Sequence, residues 1–217
     1  MSSELLTERR EHTLLLTLKD PATRNRLSAQ ACAAGVEAIN NAADAPDVHC
    51  IVLQGDGAHF CAGADAHAAG HDEAGPGGFQ AAFEALVDVM RSSPKPIIAA
   101  VEGHAVDAGF VLALACDVVI AADDACFSWT QPEAAAALSL QLPRPLAMQL
   151  LWLTEALSAR RLHGMGLANE VVPPCEAAAE ALRWGRKLGG VPAGRIAAAK
   201  EWYLGAAPRL QRSKPGI

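Results

Sequence analysis

Three short stretches constrain this chain most: Val48–Leu53 (VHCIVL), Ile97–Val101 (IIAAV) and Asp117–Ala121 (DVVIA). Each has strand length and almost no polar alternation. A strand that is apolar on both sides needs cover on both faces, which helices packed above and below a largely parallel sheet provide. The intervening segments supply such helices. Ala29–Ala43 has apolar residues at helical spacing behind Ser28, a side chain suited to an N-cap. Phe79–Arg91 places Phe79, Phe83, Leu86 and Met90 on one side, and Asp107–Cys116 reads as a third helix. Thr13–Leu18 (TLLLTL) is a further strand, stopped by Asp20-Pro21, and Ala125–Trp129 is another. Beyond residue 130 the pattern turns helical: Leu146–Leu157, Ser158–Gly164, Cys175–Leu188 and Pro192–Gly205, with one extended piece at Glu170–Pro173. The expectation is an α/β core over residues 1–140 and a helical C-terminal section over 141–217.

Composition narrows the function. Eighteen basic against twenty-four acidic residues give a net charge of −6, the wrong sign for a nucleic-acid binder. Met1–Glu11 is polar and lacks the apolar centre of a secretory signal, and no apolar run is long enough to span a bilayer. The six cysteines, at 32, 50, 61, 116, 126 and 175, form no C-x-x-C pair and sit mostly in apolar runs. They read as reduced thiols serving as small hydrophobes in a cytoplasmic protein. Gly55-x-Gly57 is followed by Phe60 where a dinucleotide fingerprint needs glycine. His67 and His71, with Asp65, Asp72 and Glu73 nearby, have helical metal-ligand spacing, but the segment contains glycine, so no metal is expected.

The strongest signals are ordered along the chain. They are Pro21-x-x-Arg24-Asn25-x-Leu27, His59-Phe60-Cys61-Ala62-Gly63-Ala64-Asp65, Val101-Glu102-Gly103-His104-Ala105, Leu112–Asp117, Ala125-Cys126-Phe127, Pro132-Glu133 and Gly166–Pro173. Together they resemble the crotonase superfamily, the enoyl-CoA hydratase/isomerase family, over about residues 10–205. The resemblance implies a spiral of β-β-α units. It also implies an acyl-CoA thioester substrate, with CoA arriving as part of the substrate and no other cofactor. Relatives assemble as trimers or dimers of trimers, so a homo-oligomer is implied. In this family two backbone N–H groups hold the thioester oxygen as it gains charge, each donor worth about 3 kcal/mol.

By the resemblance, the donors are Ala62 and Ala108. Arg24 and Asn25 lie on the turn that meets CoA, and Ala64, Asp65, Gly109 and Val111 line the substrate site. Three departures follow. The family's triple glycine reads Asp107-Ala108-Gly109. Asp107 there is expected to cap the helix, consuming an N–H and opposing an oxyanion, while alanine at 108 disfavours positive φ. Second, Val111 replaces the first of the two hydratase glutamates and cannot move a proton. Glu133 matches the second, although an ungapped alignment places Gln131 there instead. Third, the stretch after Glu133 and the C-terminal end are both shorter than in the family. Arg209, Arg212 and Lys214 read as a solvated tail. The implied function is thioester enolate chemistry with at most one carboxylate, Glu133, as acid/base. The alternatives are a degraded homologue kept as a binding module, or a decarboxylase- or thioesterase-like relative with Asp107 as base.

Overall fold

The computed structural model describes residues 3–65, 78–130 and 142–206. Six strands form the main sheet in the order β1-β2-β3-β4-β6-β9. They are β1 (Glu4–Arg10), β2 (Thr13–Lys19), β3 (Cys50–Gly55), β4 (Ile97–Val101), β6 (Val118–Ala122) and β9 (Glu170–Val172). β1 runs antiparallel to β2 and every other neighbour is parallel. The three constraining stretches are the sheet's centre. Period-two alternation divides their side chains between two cores. Ile51, Leu53, Ile97, Ala99, Val101, Val119 and Ala121 face the larger one. It is closed by α1 (Ala29–Asp44), α2 (Phe79–Ser92) and α3 (Ala108–Ala115). Cys50, Val52, Ile98, Ala100, Val118 and Ile120 face the smaller one, roofed by α6 (Ala177–Gly189) through Ala177 and Ala181.

A second sheet contains β5 (His104–Val106), β7 (Cys126–Ser128) and β8 (Leu157–Ser158). Single bridges extend this layer: Cys61 pairs with Ala105, and Leu27 pairs with Ala64. Each circuit of the chain therefore adds one strand to the large sheet, a short extended piece to the second layer, and then a helix. β3, Cys61 and α2 make one circuit, and β4, β5 and α3 the next. This is the expected β-β-α spiral.

Several expectations need correction. Met1–Glu11 contains β1, an edge strand whose residues are nearly all exposed; backbone pairing to β2, not burial, defines it. His104–Val106, where no strand was expected, forms β5. The helix expected over Leu146–Leu157 is α4 (Arg144–Leu153), which ends where Thr154 takes φ 51°. α5 (Ala159–Gly164) and α7 (Ala193–Ala206) match their predicted segments. Ser28 caps α1 as expected, its hydroxyl accepting from Ala31 N–H at 3.1 Å. Cys32, Cys50, Cys61 and Cys116 are buried and all six thiols are free; burial raises Cys32, Cys50 and Cys61 to about 12. Among the described residues no helix is long and apolar enough to cross a membrane. His67, His71, Asp72 and Glu73 lie outside the described residues, as do Gln131, Glu133, Arg209, Arg212 and Lys214. No cluster of three potential metal ligands occurs among those described.

Candidate active site

The segment after β3 is held from both sides. On one side, Phe60 N–H donates to Glu102 O (2.8 Å), Cys61 N–H to His104 O (3.0 Å), and Val106 N–H back to Cys61 O (2.9 Å). On the other, Ala62 N–H donates to Arg24 O (3.0 Å), Leu27 N–H to Gly63 O (2.8 Å), and Asp65 N–H to Leu27 O (2.8 Å). This ladder decides which amide is available. Ala62, expected as an oxyanion donor, is already committed to the Arg24 carbonyl. The Ala64 N–H makes no hydrogen bond within the protein among the described residues. Of these two amides, the one left available is that of Ala64, a residue expected only to line the site.

α3 abuts this segment. A Cβ added at Gly109 would lie 2.3 Å from Cys61 O and 2.8 Å from Cys61 Cβ, so only glycine permits the approach. Gly63 has φ 94°, and a Cβ there would meet Val106 O at 3.3 Å and Asp107 Cβ at 3.4 Å. Gly109 thus lets α3 pack against the Cys61 backbone. Ala108 begins α3, and its N–H has no partner among the described residues. Two amides without partners among the described residues therefore lie on adjoining segments, one of them at a helix N-terminus, where the dipole favours negative charge.

Asp107 departs from its expected role. Its side chain does not cap α3. It is 8% exposed; Oδ1 accepts from Thr130 N–H at 2.5 Å and Oδ2 from the Thr130 hydroxyl at 2.6 Å. Positive φ falls on Asp107 (φ 50°, ψ −114°), not on Ala108. Such a conformation costs a non-glycine residue about 1–3 kcal/mol and persists where surrounding contacts enforce it. Here Asp107 N–H donates to Ser128 O at 3.0 Å, and the Thr130 pair holds the side chain.

The remaining candidates separate. Arg24 is exposed in a left-handed conformation, φ 59°. Asn25 is 1% exposed. It accepts from Asp20 N–H (2.9 Å) and donates to Asp56 O (2.9 Å) and His59 O (2.7 Å). It fastens the turn to the site segment and presents no surface to CoA. Val111 is fully buried in the main core, so it offers no surface to substrate either. Asp65 is half-buried beside Ala64.

Sequence reasoning missed two features. Thr130 locks Asp107 from twenty-three positions away, and nothing in its local pattern signals that. His59, in the loop after β3, and His104, the first residue of β5, bring their Nδ1 atoms to 3.0 Å. Burial, then His104 and Arg24, lower the His59 imidazole's proton affinity against the opposing pull of Asp124.

Comparison with known proteins identifies the family. The profile described as "Enoyl-CoA hydratase/isomerase" matches residues 8–212, and the chain belongs to that family, the crotonase superfamily. It is 34% identical over 191 residues to enoyl-CoA hydratase EchA19 of Mycobacterium tuberculosis, covering 82% of this chain and 72% of that protein. It is 33% identical over 183 residues to a putative enoyl-CoA hydratase of Thermus thermophilus, covering 78% and 72%. The crystal structure of an enoyl-CoA hydratase from Polaromonas sp. JS666 superposes with a TM-score of 0.86 at 37% identity, over 95% of this chain and 85% of that one.

Proposed function

We propose that this enzyme binds an acyl-CoA thioester and stabilises its enolate with the N–H groups of Ala64 and Ala108. The observation that carries the reading is the pair of unpartnered amides on segments brought together at Gly63 and Gly109. Two such donors lower the barrier by roughly 6 kcal/mol, at about 3 each. No cofactor is needed, because the chemistry is proton transfer next to a polarised carbonyl.

The reaction class follows from Val111. Adding water across a double bond calls for one group to hold the water and another to exchange protons. With an apolar, buried residue at the first carboxylate position, the chain is better suited to moving a double bond between carbons. Isomerisation of 3-enoyl thioesters to 2-enoyl thioesters is therefore the proposed activity, and Glu133 is the carboxylate that the family pattern nominates. Exposed Trp152 and Leu153 on α4 and Trp202 and Tyr203 on α7 support self-association, which light scattering during gel filtration tests directly.

Function is tested by presenting 3-enoyl- and 2-enoyl-CoA thioesters of several lengths and following absorbance of the conjugated thioester. Formation of 2-enoyl product without hydration is expected. Hydration of 2-enoyl substrates at a comparable rate would refute the isomerase assignment. Thioester binding without turnover would instead identify a degraded binding module.

A further inference from the structure

We propose that Asp107 is the proton acceptor of this site. The inference rests on the enolate reading above and assigns removal of the proton to Asp107 in place of Glu133, which the family pattern nominates.

Its placement is the first ground. Asp107 directly precedes the Ala108 amide, and Oδ2 lies 3.7 Å from the position a Cβ would take on Gly63. Ala64 N–H is the next amide along from Gly63. The carboxylate thus adjoins both donors. It is 8% exposed, and the two Thr130 bonds aim it.

Charge is the second ground. A carboxylate that stays ionised while an enolate forms roughly 5 Å away, at an effective dielectric of about 20, opposes the reaction by several hundred-fold. A spectator aspartate here would cancel about the whole of one oxyanion donor. A carboxylate that takes the proton avoids this. Before transfer the negative charge is on Asp107, and after transfer it is on the thioester oxygen. The N-terminus of α3 faces a single negative charge throughout.

Strain is the third ground. Asp107 occupies φ 50°, ψ −114°, where glycine would be relaxed. The structure holds a side chain at a position that disfavours one, and strained residues cluster where geometry serves chemistry.

The step balances without a co-reactant. A carboxylate oxygen of Asp107 takes a proton from C2 of a 3-enoyl thioester. The C–H electron pair becomes the C1–C2 double bond, and the carbonyl π pair moves onto the thioester oxygen, held by Ala64 and Ala108. When the carbonyl re-forms, the C1–C2 pair shifts to C2–C3, the C3–C4 pair takes the proton back from Asp107 at C4, and a 2-enoyl thioester results.

The experiment uses the full chain in D2O with a 3-enoyl-CoA. Mass spectrometry reads deuterium entering the substrate, absorbance reads product, and calorimetry with a saturated acyl-CoA reads binding. Asp107→Asn keeps the shape and an acceptor for Thr130 N–H. It is expected to lose exchange and turnover at least 1,000-fold while binding stays within threefold. Asp107→Gly relieves the backbone while giving up the two Thr130 bonds, effects of similar size, and is expected to melt close to the wild-type temperature yet be equally inactive, a combination that a purely structural role does not produce. Thr130→Val should slow exchange three- to tenfold. Exchange at or above the wild-type rate in Asp107→Asn or Asp107→Gly overturns the proposal and leaves the enolate reading intact. Absence of both exchange and binding in the wild type overturns the enolate reading, and this inference with it.

Discussion

Replacing Gly109 with alanine tests the link between backbone packing and catalysis. The added methyl would sit 2.3 Å from Cys61 O and 2.8 Å from Cys61 Cβ, against backbone held by the Cys61–His104 and Val106–Cys61 bonds. A tolerable carbon–oxygen contact is about 3.3 Å, so α3 and the Cys61 segment must separate by roughly 1 Å. Overpacking of this kind costs about 1–3 kcal/mol, or roughly 3–10 °C in melting temperature for a chain of this size. The same separation moves Ala108 N–H away from Ala64 N–H. Loss of one oxyanion donor is worth about 3 kcal/mol, roughly 100-fold in rate. The donors act mainly on the transition state, so kcat should fall about 100-fold with KM changed little. Steady-state kinetics on the 3-enoyl substrate and a thermal melt measure both. Gly194→Ala is the control, because nothing lies within 4 Å of its added methyl. A Gly109→Ala enzyme with wild-type kcat and melting temperature would refute the close approach on which the site depends.

Other expectations follow from the same contacts. Lys200 Nζ joins Asp117 Oδ2 (2.6 Å), Lys95 O (3.1 Å) and Met90 O (3.3 Å); Lys200→Met should destabilise by about 2 kcal/mol, read in urea unfolding, and an unchanged midpoint would discount this anchor of α7. Asn25→Ala removes three hydrogen bonds and should destabilise by about 2–3 kcal/mol; because Asn25 is only 1% exposed, thioester affinity in the folded fraction should stay near wild type, and a selective loss of affinity would return Asn25 to the CoA site. The proton affinity of His59 is lowered from an ordinary 6.5 by folding. The unfolded chain therefore gains a proton first as pH drops below about 6.5, and stability present above that value is lost as pH falls toward the folded value. Melts between pH 7.5 and 5 should show this slope, and His59→Asn should flatten it; an equal slope in the variant would assign the pH dependence to other groups.

The sequence alone was enough for the sheet's centre. Val48–Leu53, Ile97–Val101 and Asp117–Ala121 are apolar on both sides, and burial between two helical layers is the arrangement that covers both. The Ser28 cap was legible for an equally local reason, since its hydroxyl serves an amide three residues away. Pairing partners decided what was not legible. β1 carries mostly exposed residues and exists through its bonds to β2. The choice between Ala62 and Ala64 cannot come from alternation, because two residues apart they would share a side of a regular extended segment; Ala62 and Asp65 N–H both donate to the Arg24–Leu27 segment, with Gly63 at φ 94° between them, so which amide is consumed depends on where Arg24 and Leu27 dock. No residue type records that register. Asp107 shows the same limit. Its identity suggested a helix cap, but Thr130, brought beside it from the end of β7, takes up its carboxylate and holds it next to the Ala108 amide. Local propensity can nominate such groups, whereas their partners are supplied by contacts between distant segments that form only when the spiral closes.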